Sequence, residues 1–126
     1  MTITGKEHWT SKGDVRLFLW EKRTPAAQRK GTVLFVHGST MAGQATFDLH
    51  VPGWAESSVM NWFAERGYDT WCMDMEGYGR SDKKRPINCD ISNGADDVAA
   101  GADYIVPGSL MFKEDPPAMR QWLASL

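Results

Sequence analysis

The stretch TVLFVHGSTMAG, residues 32–43, decides how the rest of the chain is interpreted. Its first five residues are apolar or β-branched without alternation, a pattern that is typical of a parallel strand covered on both faces. Gly38 then allows a sharp bend at the carboxyl edge of the sheet, where open α/β folds bind ligands. We therefore expect the turn that follows this strand to belong to a site.

This turn offers two kinds of chemistry, an imidazole and a set of backbone amides. His37 has the side chain of a base or a metal ligand, but we favour a structural role in which it hydrogen-bonds the neighbouring loop. The N–H groups of Ser39, Thr40 and Met41 follow the bend, and amides that point at one place are what an oxyanion hole requires. On local grounds alone, an oxyanion hole and an ordinary strand-end turn both remain open.

The composition is that of an ordinary globular domain. The chain has 126 residues, of which 42% are hydrophobic and 24% charged, enough for one domain with a core. A net charge of −2 argues against a nucleic-acid partner, and we expect the basic cluster KKR at 83–85 to be a solvated loop. The two cysteines form no CxxC pair, and Cys72 lies in an apolar run, so we expect a buried thiol and no metal.

The sequence also has no pattern typical of a membrane segment or of a dinucleotide-binding site. The sequence contains no stretch typical of a signal peptide or a bilayer-spanning helix, so we expect a cytoplasmic protein without a membrane partner. The segment DMEGYGRSD at 74–82 has two glycines in a turn, but it lacks the third glycine and the immediate helix of a dinucleotide fingerprint. We therefore expect no cofactor.

The order of elements predicts an α/β fold. Two runs at 6–11 and 14–21 flank Lys12-Gly13 and predict a β-hairpin, with Val15, Leu17 and Leu19 on one face. After the strand at 32–36, we expect an irregular loop over 40–54, a helix over 55–66 and a strand over 68–75. Strand, helix and strand make the right-handed βαβ unit of a parallel sheet. A further helix is expected over 94–105, with Ser92 or Asn93 as its cap.

Two motifs, taken in this order and at this spacing, resemble the N-terminal part of the α/β-hydrolase fold family. They are LFVHGST at 34–40 and DMEGYGRS at 74–81, and the resemblance covers about residues 6–105. It implies the N-terminal part of an α/β-hydrolase sheet, a hairpin followed by a parallel βαβ unit with flanking helices. We divide the chain into a hydrolase-like core at 1–105 and a C-terminal segment at 106–126 that ends in a short amphipathic helix.

The resemblance implies a hydrolase that acts on an ester, amide or related acyl bond of a small-molecule substrate, without a cofactor. It also implies that the N–H of Ser39, together with that of Thr40, forms the oxyanion hole. The residues expected to shape the turns around this site are His37, Gly38, Asp74, Gly77, Gly79 and Ser81.

The chain departs from the family where the nucleophile should be. It has no G-x-S-x-G elbow, and VPGSLMF at 106–112 stands where that strand and elbow should begin. The family's catalytic histidine lies near the C-terminus, whereas the histidines here are His8, His37 and His50. We expect His8 and His50 to be surface or packing residues. The catalytic residues are therefore unknown, and the chain alone is expected to be inactive.

Without an elbow strand, the strand at 32–36 would leave a flat apolar edge, which invites pairing with another chain. Three groups could cover this strand edge: the segment 106–126, a second copy in a homo-oligomer, or the remainder of a hydrolase of which this sequence is a truncated part. The alternative function is a non-catalytic hydrolase-like fragment or interaction module that pairs through this open edge.

Overall fold

The computed structural model describes residues 2–25, 30–87 and 90–105. Within them, the four strands form one mixed sheet in the order β1-β2-β4-β3, and helices flank it. The predicted α/β class, with a hairpin and then a parallel βαβ unit, is confirmed. The predicted segment at 106–126 lies outside the described residues. In chain order, the elements are β1 (Thr4–Lys12), β2 (Val15–Arg23), β3 (Gly31–Val36), α1 (Gly43–Phe47), α2 (Val59–Glu65), β4 (Tyr68–Met73) and α3 (Ile91–Ile105).

The hairpin is longer than the sequence pattern predicts but has the expected turn. Strands β1 and β2 pair antiparallel from Thr4 opposite Arg23 to Lys12 opposite Val15. Gly13 has a φ of 56°, a left-handed conformation that glycine adopts without steric cost. Along β2, successive side chains point to opposite faces of the sheet, so each face receives one set of its apolar side chains.

Strand β4 is the centre of the sheet. It pairs antiparallel with β2 and parallel with β3, and all its residues except Tyr68 are buried. Strand β3 was expected to be covered on both faces, and this expectation is wrong. Its residues are half-buried or exposed, with Val36 38% exposed. Within the described residues β3 has a paired neighbour on one side only, so it is an edge strand.

Helices cover both faces of the sheet. On one face, α3 packs on a cluster that includes Leu17, Leu19 and Met73, side chains with no exposed surface. On the other face, Phe35 of β3 stacks on Phe47 of α1, with ring centroids 4.9 Å apart. Fully buried side chains such as Leu17, Leu19 and Met73 contribute about 1.5–3 kcal/mol each. The half-buried phenylalanines contribute less, but the sheet is stabilised from both sides.

Helix α1 lies where the sequence predicted an irregular loop, and that prediction is wrong. The helix packs against β4 through Gly43, where an added Cβ would lie 2.7 Å from the carbonyl oxygen of Met73. No other residue allows so close an approach of the two backbones. This contact places the end of the loop that follows β3 directly against the central strand.

Polar caps set the starts of the two longer helices. Helix α2 starts after Ser58 and not at residue 55 as predicted. The hydroxyl of Ser58 accepts the N–H of Asn61 at 3.1 Å. Helix α3 starts after Asp90, whose carboxylate accepts the N–H of Asn93 at 2.7 Å. The predicted caps, Ser92 and Asn93, are therefore wrong. Both lie inside the helix, because an earlier residue satisfies the free N–H groups.

Other expectations concerned the membrane, metals and thiols. None of the helices in the described part of the chain is both long and apolar enough to cross a bilayer. The same residues hold no group of three or more His, Cys, Asp or Glu side chains arranged to bind a metal ion. Cys72 is buried as expected, and its burial raises the pKa of the thiol to about 12, which makes it a poor nucleophile.

Candidate functional site

The two motif turns lie side by side at one edge of the sheet. Strands β3 and β4 are parallel, and Val36 is paired with Met73, so both strands end at the same level. The turn that begins at His37 and the turn that begins at Asp74 therefore leave the sheet together. This is the carboxyl edge, where open α/β sheets bind ligands.

His37 joins the two turns through both of its ring nitrogens. Its Nε2 lies 3.0 Å from the backbone nitrogen of Met75, and its Nδ1 lies 2.8 Å from the carbonyl oxygen of Gly38. Because the N–H of Met75 only donates, Nε2 accepts, and Nδ1 carries the proton that is donated to Gly38. The residue is 4% exposed. To act as a base, His37 would have to release Met75.

Asp74 connects the second turn to α1. One carboxylate oxygen accepts the N–H of Gly43 at 2.7 Å, and the other accepts the N–H of Arg80 at 3.0 Å. Ser81 fixes the far end of the same turn, because its hydroxyl donates to the carbonyl oxygen of Asp74 and accepts the N–H of Phe18 at 2.8 Å. Apart from Arg80, which is exposed, the residues that make these bonds are buried, so the turn is held against both α1 and β2.

Two glycines give the second turn its shape. Gly77 and Gly79 have φ values of 92° and 52°, in the left-handed region that L side chains rarely adopt. A Cβ added to Gly79 would also overlap the carboxylate of Asp74. The backbone can therefore wrap around this carboxylate only where the residue has no side chain.

The first turn contains a strained residue. Thr40 has a φ of 66°, the one positive value at a residue other than glycine in the described ranges. Such conformations cost about 1–3 kcal/mol and are concentrated at functional sites. Within the described residues, the N–H groups of Ser39 and Thr40 make no hydrogen bond, whereas that of Met41 donates to the carbonyl of Gly38 at 3.3 Å. Both residues are exposed, so the two N–H groups are not used by the fold.

A cleft of about 430 Å³ opens beside the first turn. This volume is within the range of small-molecule sites. The cleft lies between the end of β3 and the N-terminal half of α3, and most of its wall is apolar. The residues that line it are Val36, His37, Gly38, Ser39, Met75, Asp90, Ile91, Gly94, Ala95 and Val98.

An ion-pair network that the sequence did not suggest lies behind the second turn. Glu76 is 1% exposed, and its two carboxylate oxygens accept hydrogen bonds from Nε and Nη2 of Arg85 at 2.7 and 2.6 Å. Lys12 contacts the same carboxylate at 2.9 Å and that of Asp97 at 2.6 Å. Arg85 is exposed, as expected for the loop at 83–85, but its guanidinium also pairs with this buried carboxylate. The missed signal was the acid Glu76 inside the second motif, in a turn that buries it.

Stability at low pH should depend on Glu76. Hydrogen bonds from Arg85 and then Lys12 lower the pKa of Glu76 to about 2, from 4.5. Because the folded pKa is lower, this contribution to stability is fully present above pH 4.5 and is lost as the pH falls through 2. We expect the free energy of unfolding of Glu76→Gln to fall less than that of the native chain between pH 5 and 2.

Urea unfolding across this range measures the difference. The control is Glu7→Gln, because the pair of Glu7 with Arg80 is half exposed and should contribute little. Glu7→Gln should keep the native pH dependence. Equal pH dependence in the native chain and in Glu76→Gln would contradict the assignment.

The other two histidines lie away from the turns. His8 is in the middle of β1, hydrogen-bonded to Glu21 and Tyr104. His50 has a side chain that is 59% exposed, and its Nε2 lies 3.1 Å from the carboxylate of Asp48. Neither contacts Ser39 or Thr40 in the described structure.

Several solved structures are similar to this chain. A predicted CIB-like hydrolase from Thermoplasma acidophilum has 20% sequence identity and a TM-score of 0.52, with 80% of this chain and 47% of that one covered. A haloalkane dehalogenase loop variant from Bradyrhizobium elkanii has 20% identity and a TM-score of 0.58. A laboratory-evolved potato epoxide hydrolase has 21% identity and a TM-score of 0.60. For the last two, 82% of this chain and 29% of the other are covered.

These neighbours are α/β-hydrolase fold proteins, and the chain has the fold of their N-terminal part. The predicted resemblance is confirmed as a likeness of fold. The chain spans less than half the length of each neighbour, and at 20–21% identity the likeness does not specify a reaction. No protein-family model matches the chain, and no curated protein is a significant match.

Proposed function

We propose that this chain supplies the oxyanion-binding part of a hydrolase that acts on an ester, amide or related acyl bond of a small molecule. The observation that carries the proposal is the pair of N–H groups at Ser39 and Thr40, which the fold does not use in the described residues. Attack on an acyl carbon creates a negatively charged oxygen, and one N–H aimed at it is worth about 10²–10³ in kcat.

The surroundings of these two N–H groups support the proposal. An oxyanion hole is effective when its donors are fixed before the reaction. The loop is anchored on both sides of Ser39 and Thr40, at Gly38 through His37 and at Gly43 through Asp74. A left-handed residue between ordinary ones turns successive N–H groups towards a common point, as in anion-binding nests. The apolar cleft beside Ser39 offers space for the acyl group.

The remaining catalytic groups are proposed to come from elsewhere. A serine-type reaction needs a nucleophile, a base within hydrogen-bond reach and an acid that orients the base. In the proposed enzyme, these belong to the remainder of the hydrolase or to a second copy. The chain by itself then binds an oxyanion without turning over an ester.

Binding of an oxyanion mimic tests the proposal directly. Methylphosphonate is titrated into the labelled protein, and the backbone amide resonances are followed by NMR. We expect those of Ser39 and Thr40 to shift in a saturable way, because their N–H groups bind the phosphonate oxygens. Ser39→Pro removes one donor and should weaken binding at least tenfold.

The matched control is Thr40→Gly, which keeps the N–H and tolerates the left-handed conformation. It should bind methylphosphonate as the native chain does. Shifts at other amides only, or native affinity in a folded Ser39→Pro variant, would overturn the proposed oxyanion hole.

The second candidate is a non-catalytic module that pairs through its sheet edge. It is favoured by the position of β3, a half-exposed apolar strand at the edge of the described sheet. A chromogenic short-chain ester and a fluorophosphonate probe separate the two candidates from an autonomous enzyme. Turnover of the ester, or labelling of a serine, would place the catalytic nucleophile of a hydrolase within this chain. No turnover and no labelled serine, with no methylphosphonate binding and a dimer by light scattering, would favour the module.

A further inference from the structure

A second cluster of ionisable side chains lies at the other end of the sheet. It consists of His8 from β1, Glu21 from β2, Asp69 from β4 and Tyr104 from α3, all on the face that α3 covers. Asp69 precedes Met73, the end of β4, by four residues, or about 13 Å along a strand. The cluster is therefore separate from the proposed oxyanion hole.

Three of these side chains form a continuous hydrogen-bonded chain. The hydroxyl oxygen of Tyr104 lies 2.8 Å from Nδ1 of His8, and Nε2 of His8 lies 3.0 Å from a carboxylate oxygen of Glu21. The ring of His8 also packs on Trp71, with centroids 4.5 Å apart. The imidazole is thus held in one orientation between a phenol and a carboxylate.

The chemistry of the groups sets the direction of the protons. An ionised Glu21 only accepts hydrogen bonds, so Nε2 of His8 must donate to it. Nδ1 then carries a lone pair, and the hydroxyl of Tyr104 donates to that lone pair. Burial, followed by the charge of Lys6, lowers the pKa of His8 from 6.5, so the imidazole is neutral at pH 7.

Asp69 lies beside Glu21 at the buried end of this chain of hydrogen bonds. Both carboxyl groups belong to residues that are 7% exposed, and two adjacent buried carboxylates repel each other strongly. Burial, and then the contact with Glu21, raises the pKa of Asp69 to about 7. Below that pH, Asp69 holds a proton, which relieves the repulsion between the two carboxyl groups. A carboxylate at Glu21 is then the group that can stabilise a protonated His8.

We propose that Tyr104 is a nucleophile assisted by His8, and that it accepts the acyl group of small activated acyl compounds. The phenolic oxygen attacks the acyl carbon while its proton passes to Nδ1 of His8. The bond to the leaving group then breaks, and an aryl ester remains on Tyr104. The histidine later returns its proton to the leaving group or to solvent. Tyr104 is 42% exposed, so small reagents can reach it.

Hydroxyl, imidazole and carboxylate in series are the arrangement by which proteins activate weak nucleophiles. Here Glu21 is a positioning residue, because it acts on Tyr104 only through the tautomer of His8. The groups that face His8 are Lys6 on its own strand, Glu21 and Arg23 on β2, Asp69 on β4 and Tyr104 on α3.

Acetylation by N-acetylimidazole tests the proposal, with the acetyl group located by peptide mass spectrometry. Tyr68 and Tyr78 serve as internal references in the same chain. In His8→Gln, the side-chain amide can still donate to Glu21, but the base is lost. We expect acetylation of Tyr104 to slow at least tenfold, as for the loss of a general base. The rates at Tyr68 and Tyr78 should not change.

The pH dependence of the acetylation rate distinguishes general-base assistance by His8 from simple accessibility of Tyr104. In the native chain, the rate at Tyr104 should rise as His8 loses its proton and level off by about neutral pH. In His8→Gln it should continue to rise with the ionisation of the phenol itself. Glu21→Leu should weaken the plateau too, because Nε2–H of His8 then has no acceptor and the tautomer that presents a lone pair to Tyr104 is no longer fixed.

Two results would overturn the proposal: an unchanged Tyr104 rate in a folded His8→Gln variant, or a native rate that rises without a plateau. The second is measured on the unmodified chain, so it decides the matter even if His8→Gln does not fold. The outcome is independent of methylphosphonate binding.

Discussion

Lys22→Met is expected to lower the free energy of unfolding by about 3–5 kcal/mol, the usual loss when one partner of a buried ion pair is removed. The ammonium group of Lys22 is buried and lies 2.8 Å from both the carboxylate of Asp48 and the side-chain oxygen of Asn61. Burial alone would raise the pKa of Asp48, but hydrogen bonds from Lys22, Ser58 and Trp20 outweigh it and lower that pKa. Without the lysine, this carboxylate is left buried without a compensating charge.

Urea unfolding at pH 7 measures the loss. The control is Lys84→Met, because that side chain is 80% exposed and lies 3.9 Å from Asp82. Its effect should stay within about 1 kcal/mol. Adding Asp48→Asn to Lys22→Met should restore part of the stability, since the uncompensated charge is then gone. A loss no larger than that of Lys84→Met would contradict the buried pair.

Asp74→Ala should cost about 1–3 kcal/mol, because it leaves the buried N–H of Gly43 without an acceptor. The N–H of Arg80 also loses its acceptor, but that residue is exposed, so water replaces part of the bond. The same change releases the end of the loop that carries Ser39 and Thr40. We therefore expect weaker methylphosphonate binding and faster hydrogen exchange at the amides of Gly43 and Arg80.

The matched variant is Asp74→Asn, whose amide keeps one acceptor oxygen and should lose about half as much stability. Asp103→Ala, at an exposed position on α3, controls for the loss of a negative charge and should have a small effect. Hydrogen exchange and urea unfolding are measured on all three variants. If the Gly43 and Arg80 amides stay protected in Asp74→Ala, Asp74 does not hold the two turns.

The parts of the fold that follow from local chemistry were predictable from the sequence. The hairpin was found because β2 alternates and Gly13 supplies the turn. The second motif turn was found because Gly77 and Gly79 mark backbone conformations that other residues avoid. These signals lie within a few residues of the structures they specify.

The predictions that failed depended on more distant parts of the chain. The run TVLFV has the composition of a doubly covered strand, but its burial depends on how many strands flank it, which the run itself does not encode. Asp90, Ser92 and Asn93 are all good caps, so composition could not choose among them. Helix α1 needs the close approach of Gly43 to Met73, a contact between segments thirty residues apart.

The polar networks were also beyond the reach of sequence patterns. Lys22 meets Asp48 only because β2 and the loop before α2 are brought to the same face of the sheet. His8 was expected to be a surface or packing residue, and the structure places it between Glu21 and Tyr104, which are far apart in sequence. Such networks have no periodicity, so each member looks like an ordinary charged residue.

The central position of β4 has a consequence for synthesis on the ribosome. Strands β1 and β2 pair with each other as soon as both have emerged, but β3 has no described partner until β4 is complete, 37 residues after Val36. At about 5–20 residues per second, the newly made strand waits about 2–7 s. During that interval its apolar side chains are open to molecular chaperones and to neighbouring nascent chains. The order in which the strands are translated therefore leaves TVLFV open to misassembly during this interval.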